Sequence, residues 1–301
     1  MHTSVVNHLI NKIILGTVQF GTDYGISNKA GQPGVEEINE IISLASLNGI
    51  DTYDTAPAYG ESEIILGQVL PKSSKIVTKT SNINSMLKAS EISDFLQSSF
   101  ESSLNELNKD SIYGLLVHSA DDLISSRGDH LYAWLKKIKS DSYVSKIGVS
   151  VYTADQIDFI LDNYTIDIIQ LPLNILDQRL IKSGHLKKLK DHNVEIHVRS
   201  VFLQGLLLMN YKTLPEYFSP YLNILNRFLK ECKKRNLSAL ELSLGFVINQ
   251  EEIDKVIVGV HGKEQLNEII TASSIYMPEL ERLSELASNE IDLINPSVWT
   301  R

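Results

Sequence analysis

Short apolar, β-branched runs alternate with longer stretches of helical periodicity along almost the whole chain, and no other feature restricts the fold as much. Eight such runs fall near 12–16, 50–54, 75–79, 112–118, 146–150, 166–170, 195–200 and 255–259. Most are followed by an amphipathic helix, which is the order of βα units around a parallel sheet. The stretch 36–48 puts Ile38, Ile41, Ile42 and Ala45 on one helical face, and 92–107 repeats the pattern with Phe95, Leu96, Phe100 and Leu104. Between 221–235 and 237–250, Ser238 and Glu241 form a capping-box pair, so these stretches read as two helices. Eight βα units with no Pro/Gly/Ser-rich linker predict an α/β fold, a (β/α)8 TIM barrel in a single domain over residues 1–301.

Composition agrees with a soluble enzyme. With 301 residues, 43% of them hydrophobic, the chain can bury a large core. The 28 Lys and Arg against 37 Asp and Glu leave a formal charge of −9, with no basic run to offset it, which disfavours nucleic acid or an anionic membrane surface as a partner. The single Cys232 lies in a helical stretch and excludes an intrachain disulfide, so a reducing cytoplasm is the expected setting. The opening MHTSVVNHLINK lacks the pattern of a signal peptide, and no apolar stretch is long enough to span a membrane.

Parallel barrels place their chemistry where strands give way to loops at the C-terminal rim. Four residues stand at such places: Asp54 and Tyr59 in DTAPAYGESE, Lys79 closing KIVTK, and His118 closing YGLLVH. A phenol with a pKa of about 10 needs electrostatic help to trade its proton near neutrality. Lys79 supplies a positive charge and Asp54 keeps that ammonium charged. Ile50, Thr52 and Asp54 share one strand face, as do Val77 and Lys79, so inward-pointing faces bring Asp54 and Lys79 to one rim. Asp51, three residues before Asp54 on the opposite face, reads as structural.

These residues resemble the catalytic tetrad of the aldo-keto reductase family. The likeness runs through LGTVQFG (15–21), GIDTYDTAPAYGESEIILG (49–67), KIVTK (75–79), LLVHS (115–119), KIGVS (146–150), IIQLPLN (168–174) and VIVGVHGKEQLNE (256–268). It implies an oxidoreductase that reduces an aldehyde or ketone to an alcohol with a nicotinamide cofactor, Tyr59 giving the proton, Lys79 and Asp54 tuning it, and His118 orienting the substrate. No metal is implied.

No GxGxxG follows a strand, so the dinucleotide is not held in a Rossmann manner. The resemblance instead lays the cofactor across the barrel mouth, with its carboxamide on Ser150 and Gln170. The customary Asn after that Ser is replaced by Val151, for which Asn174 is the nearby substitute. Arg199 stands where the family has a Tyr stacked on the nicotinamide, and a guanidinium also stacks flat on a ring. Gly16 and Thr17 in the first motif and Gly205 in SVFLQGLLL complete this end of the cofactor site. The adenosine half is expected at the helix opening near Gly262, whose amides and dipole favour phosphate. Gly259 and Gln265 occupy positions where the family carries cations, leaving His261 and Lys263 to meet a 2′-phosphate. NADP(H) is therefore expected with only a modest preference, NAD(H) being the alternative.

The substrate pocket is expected to have aromatic walls and polar gaps. Tyr24, Tyr152, the 209–221 segment MNYKTLPEYFSPY and a Trp299 folded back over the mouth would provide them, and a sugar-like or small polar carbonyl would fit. Two other classes share these residues. One is a cofactor-binding regulatory subunit of the same fold, and the other is a lyase using Lys79 as a Schiff base.

Overall fold

Eight parallel strands close into one barrel: β1 (Ile13–Gly16), β2 (Thr52–Asp54), β3 (Lys75–Lys79), β4 (Ile112–Val117), β5 (Val144–Ser150), β6 (Ile168–Pro172), β7 (Glu195–Arg199) and β8 (Lys255–Gly259). The computed structural model describes residues 9–83, 88, 91–277 and 279–299. The opening residues 1–8, on which part of the leader reading rests, lie outside them. The strand positions agree with the sequence pattern, with ends displaced by a residue or two. β2 starts only at Thr52, β5 starts earlier at Val144, and β4 stops at Val117, so that His118 is the first residue of its loop.

Around the strands run α1 (Val35–Leu47), α2 (Ser62–Val69), α3 (Ile92–Glu106), α4 (Gly128–Ser140), α5 (Ala154–Asn163), α6 (His185–Asp191), α7 (Leu222–Arg235), α8 (Ala239–Ile248) and α9 (Lys263–Ala272). The apolar face of α1 buries Ile38, Ile41, Ile42 and Ala45. Burying each of the three isoleucines contributes about 1.5–3 kcal/mol, which outweighs the sub-kcal propensity cost of the Ser and Asn in this helix. In α3, Leu96, Phe100 and Leu104 are buried with Ile92, whereas Phe95 is only half-buried. The break between α7 and α8 is made by Asn236 in a left-handed conformation (φ 53°) and by the capping box. The Glu241 amide donates to Ser238 Oγ at 3.1 Å and the Ser238 amide to Glu241 Oε2 at 2.7 Å.

Inside the barrel, Val77, Leu116 and Ile168 form a small apolar layer of their own. Toward the N-terminal end of the strands the interior is polar: Glu195 accepts from Tyr113 at 2.9 Å, pairs with His197 at 2.7 Å and is bridged by Lys146. Burial pushes the Glu195 carboxyl up, but His197 and Lys146 more than offset this and hold it at about 2. That end is occupied by paired charge. Reactive groups are left to the opposite rim.

Candidate active site

The loop after β2 carries Tyr59, and its path is set by contacts that only glycine permits. Gly60 adopts a left-handed conformation (φ 58°), and a Cβ there would overlap the Gly21 carbonyl; a Cβ on Gly21 would overlap the Tyr59 carbonyl. Thr17 Oγ1 donates to the Asp54 carbonyl at 2.9 Å and meets Ser62 Oγ at 2.8 Å, while Thr55 Oγ1 meets the same Ser62 at 3.1 Å. These buried hydroxyls tie the loop to β1. The Thr17 side chain is thus spent on the scaffold, although the residue still borders the cavity.

Strand register brings the rim residues to one level. Gly16 lies opposite Asp54 and Gly259, Asp54 opposite Val77, and Ser150 opposite Gln170. Asp54 Oδ1 accepts from Lys79 Nζ at 2.7 Å, and its Oδ2 accepts from Gln170 Nε2 at 2.7 Å. Lys79 also donates to the Thr55 carbonyl at 2.8 Å. Its ammonium lies 5.0 Å from the centre of the Tyr59 ring, and that ring stands edge-on to His118 at 6.2 Å. Asp54, Lys79, Tyr59 and His118 therefore form one contiguous group.

Burial pulls the Lys79 pKa down, yet the charges of Asp54 and Tyr59 and their hydrogen bonds leave it raised. The amine is an ammonium at neutral pH. His118 goes the other way: burial first, then Lys79 and Arg199, lower its pKa to about 4 against the pull of Asp54. The imidazole is neutral at physiological pH, so one ring nitrogen donates and the other accepts. Because the folded value lies below the 6.5 of a free imidazole, the unfolded chain binds the extra proton between them, and stability falls as pH drops from 6.5 toward 4. Turnover should show no His118 titration above about pH 5. A pH–rate break near 6.5 that His118→Gln removes would contradict this assignment.

The cavity over these groups has a volume of about 850 Å3, within the range of about 300–1,000 Å3 usual for ligand pockets. Gly16, Ser150, Gln170, Arg199, Gly205, Gly259, His261 and Gln265 all border it, as do Tyr24 and Tyr152. Arg199 sits over the Tyr152 ring, its Cζ 4.1 Å from the ring centre, and donates to the Val151 carbonyl at 3.2 Å. The guanidinium faces an aromatic ring bordering the cavity, and among the described residues it forms no salt bridge. Gly205 sits at φ 92°, against Ser27.

Four expectations fail in the structure. Lys263 does not border the cavity; its Nζ is 3.1 Å from Glu40 Oε2, because α1 packs beside α9. Trp299 does not cover the mouth but packs edge-on against buried Phe218 at 4.9 Å. The other aromatics of its partner segment also turn from the cavity, Tyr217 donating to the Asp292 carbonyl and Tyr211 packing on the core. Burial of these rings against the C-terminal segment outweighs any gain at the mouth. Asn174 is fully buried and accepts from the amides of Leu176 and Asp177, so it is a turn former and no substitute carboxamide partner.

Sequence reasoning missed Gln19, Phe202 and Glu268, which border the cavity. Gln19 is 8% exposed, lies against Gly259, and among the described residues its Oε1 has no hydrogen-bond partner. A buried acceptor left open costs about 1–3 kcal/mol unless a ligand satisfies it. Nothing in its position after β1 marks it in the sequence.

The Aldo/keto reductase family profile matches residues 12–287. The chain is 24% identical over 267 residues to the NADH-specific methylglyoxal reductase of Escherichia coli, covering 77% of this chain and 81% of that protein. It is 28% identical over 256 residues to the L-galactose dehydrogenase of Arabidopsis thaliana, covering 78% and 76%. Among solved structures, the holo form of an aldo-keto reductase from Bacillus halodurans superposes over 92% of each chain with a TM-score of 0.74 at 20% identity, a likeness of fold.

Proposed function

The chain belongs to the Aldo/keto reductase family, and from that premise we propose that it reduces a small polar aldehyde or ketone to an alcohol, with Tyr59 as the proton donor. Membership implies carbonyl reduction dependent on NAD(P)H. The observation that carries the residue assignment is the contiguous group of Asp54, Lys79, Tyr59 and His118 at one end of one cavity.

The lining suits a dinucleotide. Gly16 and Gly259 are register partners bordering the cavity, where a Cβ would run into Ile257 and Gln19 respectively, and Gln19 Oε1 is a buried acceptor without a partner among the described residues. Ser150, Gln170, Arg199, Gly205, His261 and Gln265 are the residues that would hold it. When bound, it supplies the hydride.

The chain's own groups do the rest. As the carbonyl oxygen gains charge, the Tyr59 hydroxyl gives up its proton to it. The phenolate left behind is stabilised by the Lys79 ammonium, which Asp54 holds in place and Gln170 anchors from the other carboxylate oxygen. Neutral His118 directs an N–H toward the same oxygen and so fixes the carbonyl for attack. Tyr24, Tyr152 and Phe202 with Ser27 and Asn210 give the pocket its aromatic and polar walls. A sugar-like or small polar carbonyl fits them, and the methylglyoxal and L-galactose in the names of the two relatives fall in that class.

The expected NADP(H) preference rested on Lys263 and His261, and both are engaged: Lys263 by Glu40, His261 by the Tyr24 carbonyl at 3.1 Å. The Escherichia coli relative is named NADH-specific. NAD(H) is the reading we prefer. A cytoplasmic setting is proposed from the single, free Cys232, and among the described residues no helix is long and apolar enough to cross a membrane.

A Schiff-base lyase is disfavoured because Lys79 is buried, paired and raised in pKa, whereas such a lysine must react as a free amine. The test is fluorescence titration with NADH and NADPH, followed by a panel of aldehydes and ketones monitored at the nicotinamide absorbance. Steady turnover is expected. Tight cofactor binding with no turnover across the panel would point to a regulatory subunit instead.

A further inference from the structure

The groove runs from the tetrad past Gly259 to the first turn of α9, where His261, Gln265 and Glu268 border it. This is the end expected to receive the adenosine half of the cofactor. Its helix start is already capped from α1: the Lys263 amide donates to Glu37 Oε1 at 2.6 Å. One turn further along α1, Glu40 neutralises the Lys263 ammonium at 3.1 Å. His261 faces the Tyr24 carbonyl with Nε2, and its amide donates to Gln265 Oε1 at 2.8 Å. The Lys263 amide, the Lys263 ammonium and the His261 ring are therefore engaged, the first two by carboxylates, while Lys29 also borders the cavity.

What this arm offers instead is acceptors. Glu268 is a carboxylate bordering the cavity, Glu37 stands behind it on the Lys263 amide, and Gln19 presents an Oε1 unpartnered among the described residues while more than nine-tenths buried at Gly259. Acceptors call for hydroxyl donors, which a ribose diol has and a phosphate dianion lacks. A 2′-phosphate would have to displace Glu37 from the Lys263 amide and then sit beside two like charges.

We propose that Glu37 and Glu40 select the dinucleotide, favouring NAD(H) over NADP(H) by occupying and neutralising the start of α9. The inference rests on the reductase reading above. Selectivity then comes from α1 rather than from a missing arginine after β8.

The test uses the full chain as wild type, Glu37→Gln, Glu40→Gln and the double variant, with dissociation constants for NADH and NADPH from fluorescence titration at low and high salt. The Gln side chain at 37 keeps an acceptor for the Lys263 amide, and Glu40 lies on the exposed face of α1, so the folded state should survive both changes. Wild type should bind NADH at least about tenfold more tightly than NADPH. The double variant should gain about tenfold or more in NADPH affinity, most of it at low salt, with NADH changed by less than about twofold. If wild type binds NADPH as tightly as NADH, or if the double variant shifts both equally, Glu37 and Glu40 do not select and the reductase reading stands. If wild type binds neither, the reductase reading fails and this inference with it.

Discussion

Tyr59→Phe should lower the reductase rate by about 10²–10⁴-fold while dinucleotide affinity stays within about twofold, because the proton it supplies is needed only as the alkoxide develops. The hydroxyl contributes to the transition state and not to the ground state, so the loss falls on kcat with KM nearly unchanged. The ring remains to fill its place between the Lys79 ammonium and His118. Steady-state kinetics with the best substrate of the panel, paired with cofactor titration, check this. Retention of the wild-type rate would remove Tyr59 from the chemistry, and an equal loss of cofactor affinity would make it a binding residue.

Lys79→Met should abolish turnover to a similar degree and also destabilise the fold. The side chains of Lys79 and Asp54 are 1% and 5% exposed, so removing the ammonium leaves a buried carboxylate whose Oδ1 has lost its partner. Breaking a buried pair from one side costs about 3–5 kcal/mol, corresponding to a Tm lowered by about 5–10 °C for a domain of this size. Lys79→Met combined with Asp54→Asn should recover part of the Tm and none of the activity, since the stranded charge is gone but the phenolate still has no cation beside it. Thermal unfolding and turnover of the three variants separate the two roles. A Tm unchanged within about 1 °C in the single variant would show that the carboxylate is solvated or protonated in the native state.

The meeting of Asp54 and Lys79 was legible because two local signals agree on them, whereas Tyr59 and His118, in loops, were legible through ordered motifs. Period-two alternation in KIVTK and DTYD sets the inward face, and the strand ends set the rim, so Asp54 and Lys79 had to meet once the barrel closed. The cavity-lining glycines and the Ser150–Gln170 pair were legible through ordered motifs for the same reason: strand register carries them to one level. The readings of Lys263 and Trp299 failed where the outcome depended on a partner distant in the chain, and that of Asn174 because its carbonyl oxygen is taken by the local turn amides of Leu176 and Asp177. Lys263 meets Glu40 across 223 positions, and Trp299 meets Phe218 across the C-terminal segment. Gln19 was overlooked because its significance is the absence of a partner, which no window of sequence displays.

By itself, then, the sequence determined the eightfold βα order, the apolar faces of the helices and the identities gathered at the rim, since these follow from periodicities of two and 3.6 residues that act over a few neighbours. Only the tertiary structure decided which charges are already spent. Whether Lys79 is an ammonium, His118 a neutral imidazole and the start of α9 open to phosphate depends on burial and on carboxylates delivered by other elements, and electrostatic energy is set by distance in space rather than along the chain.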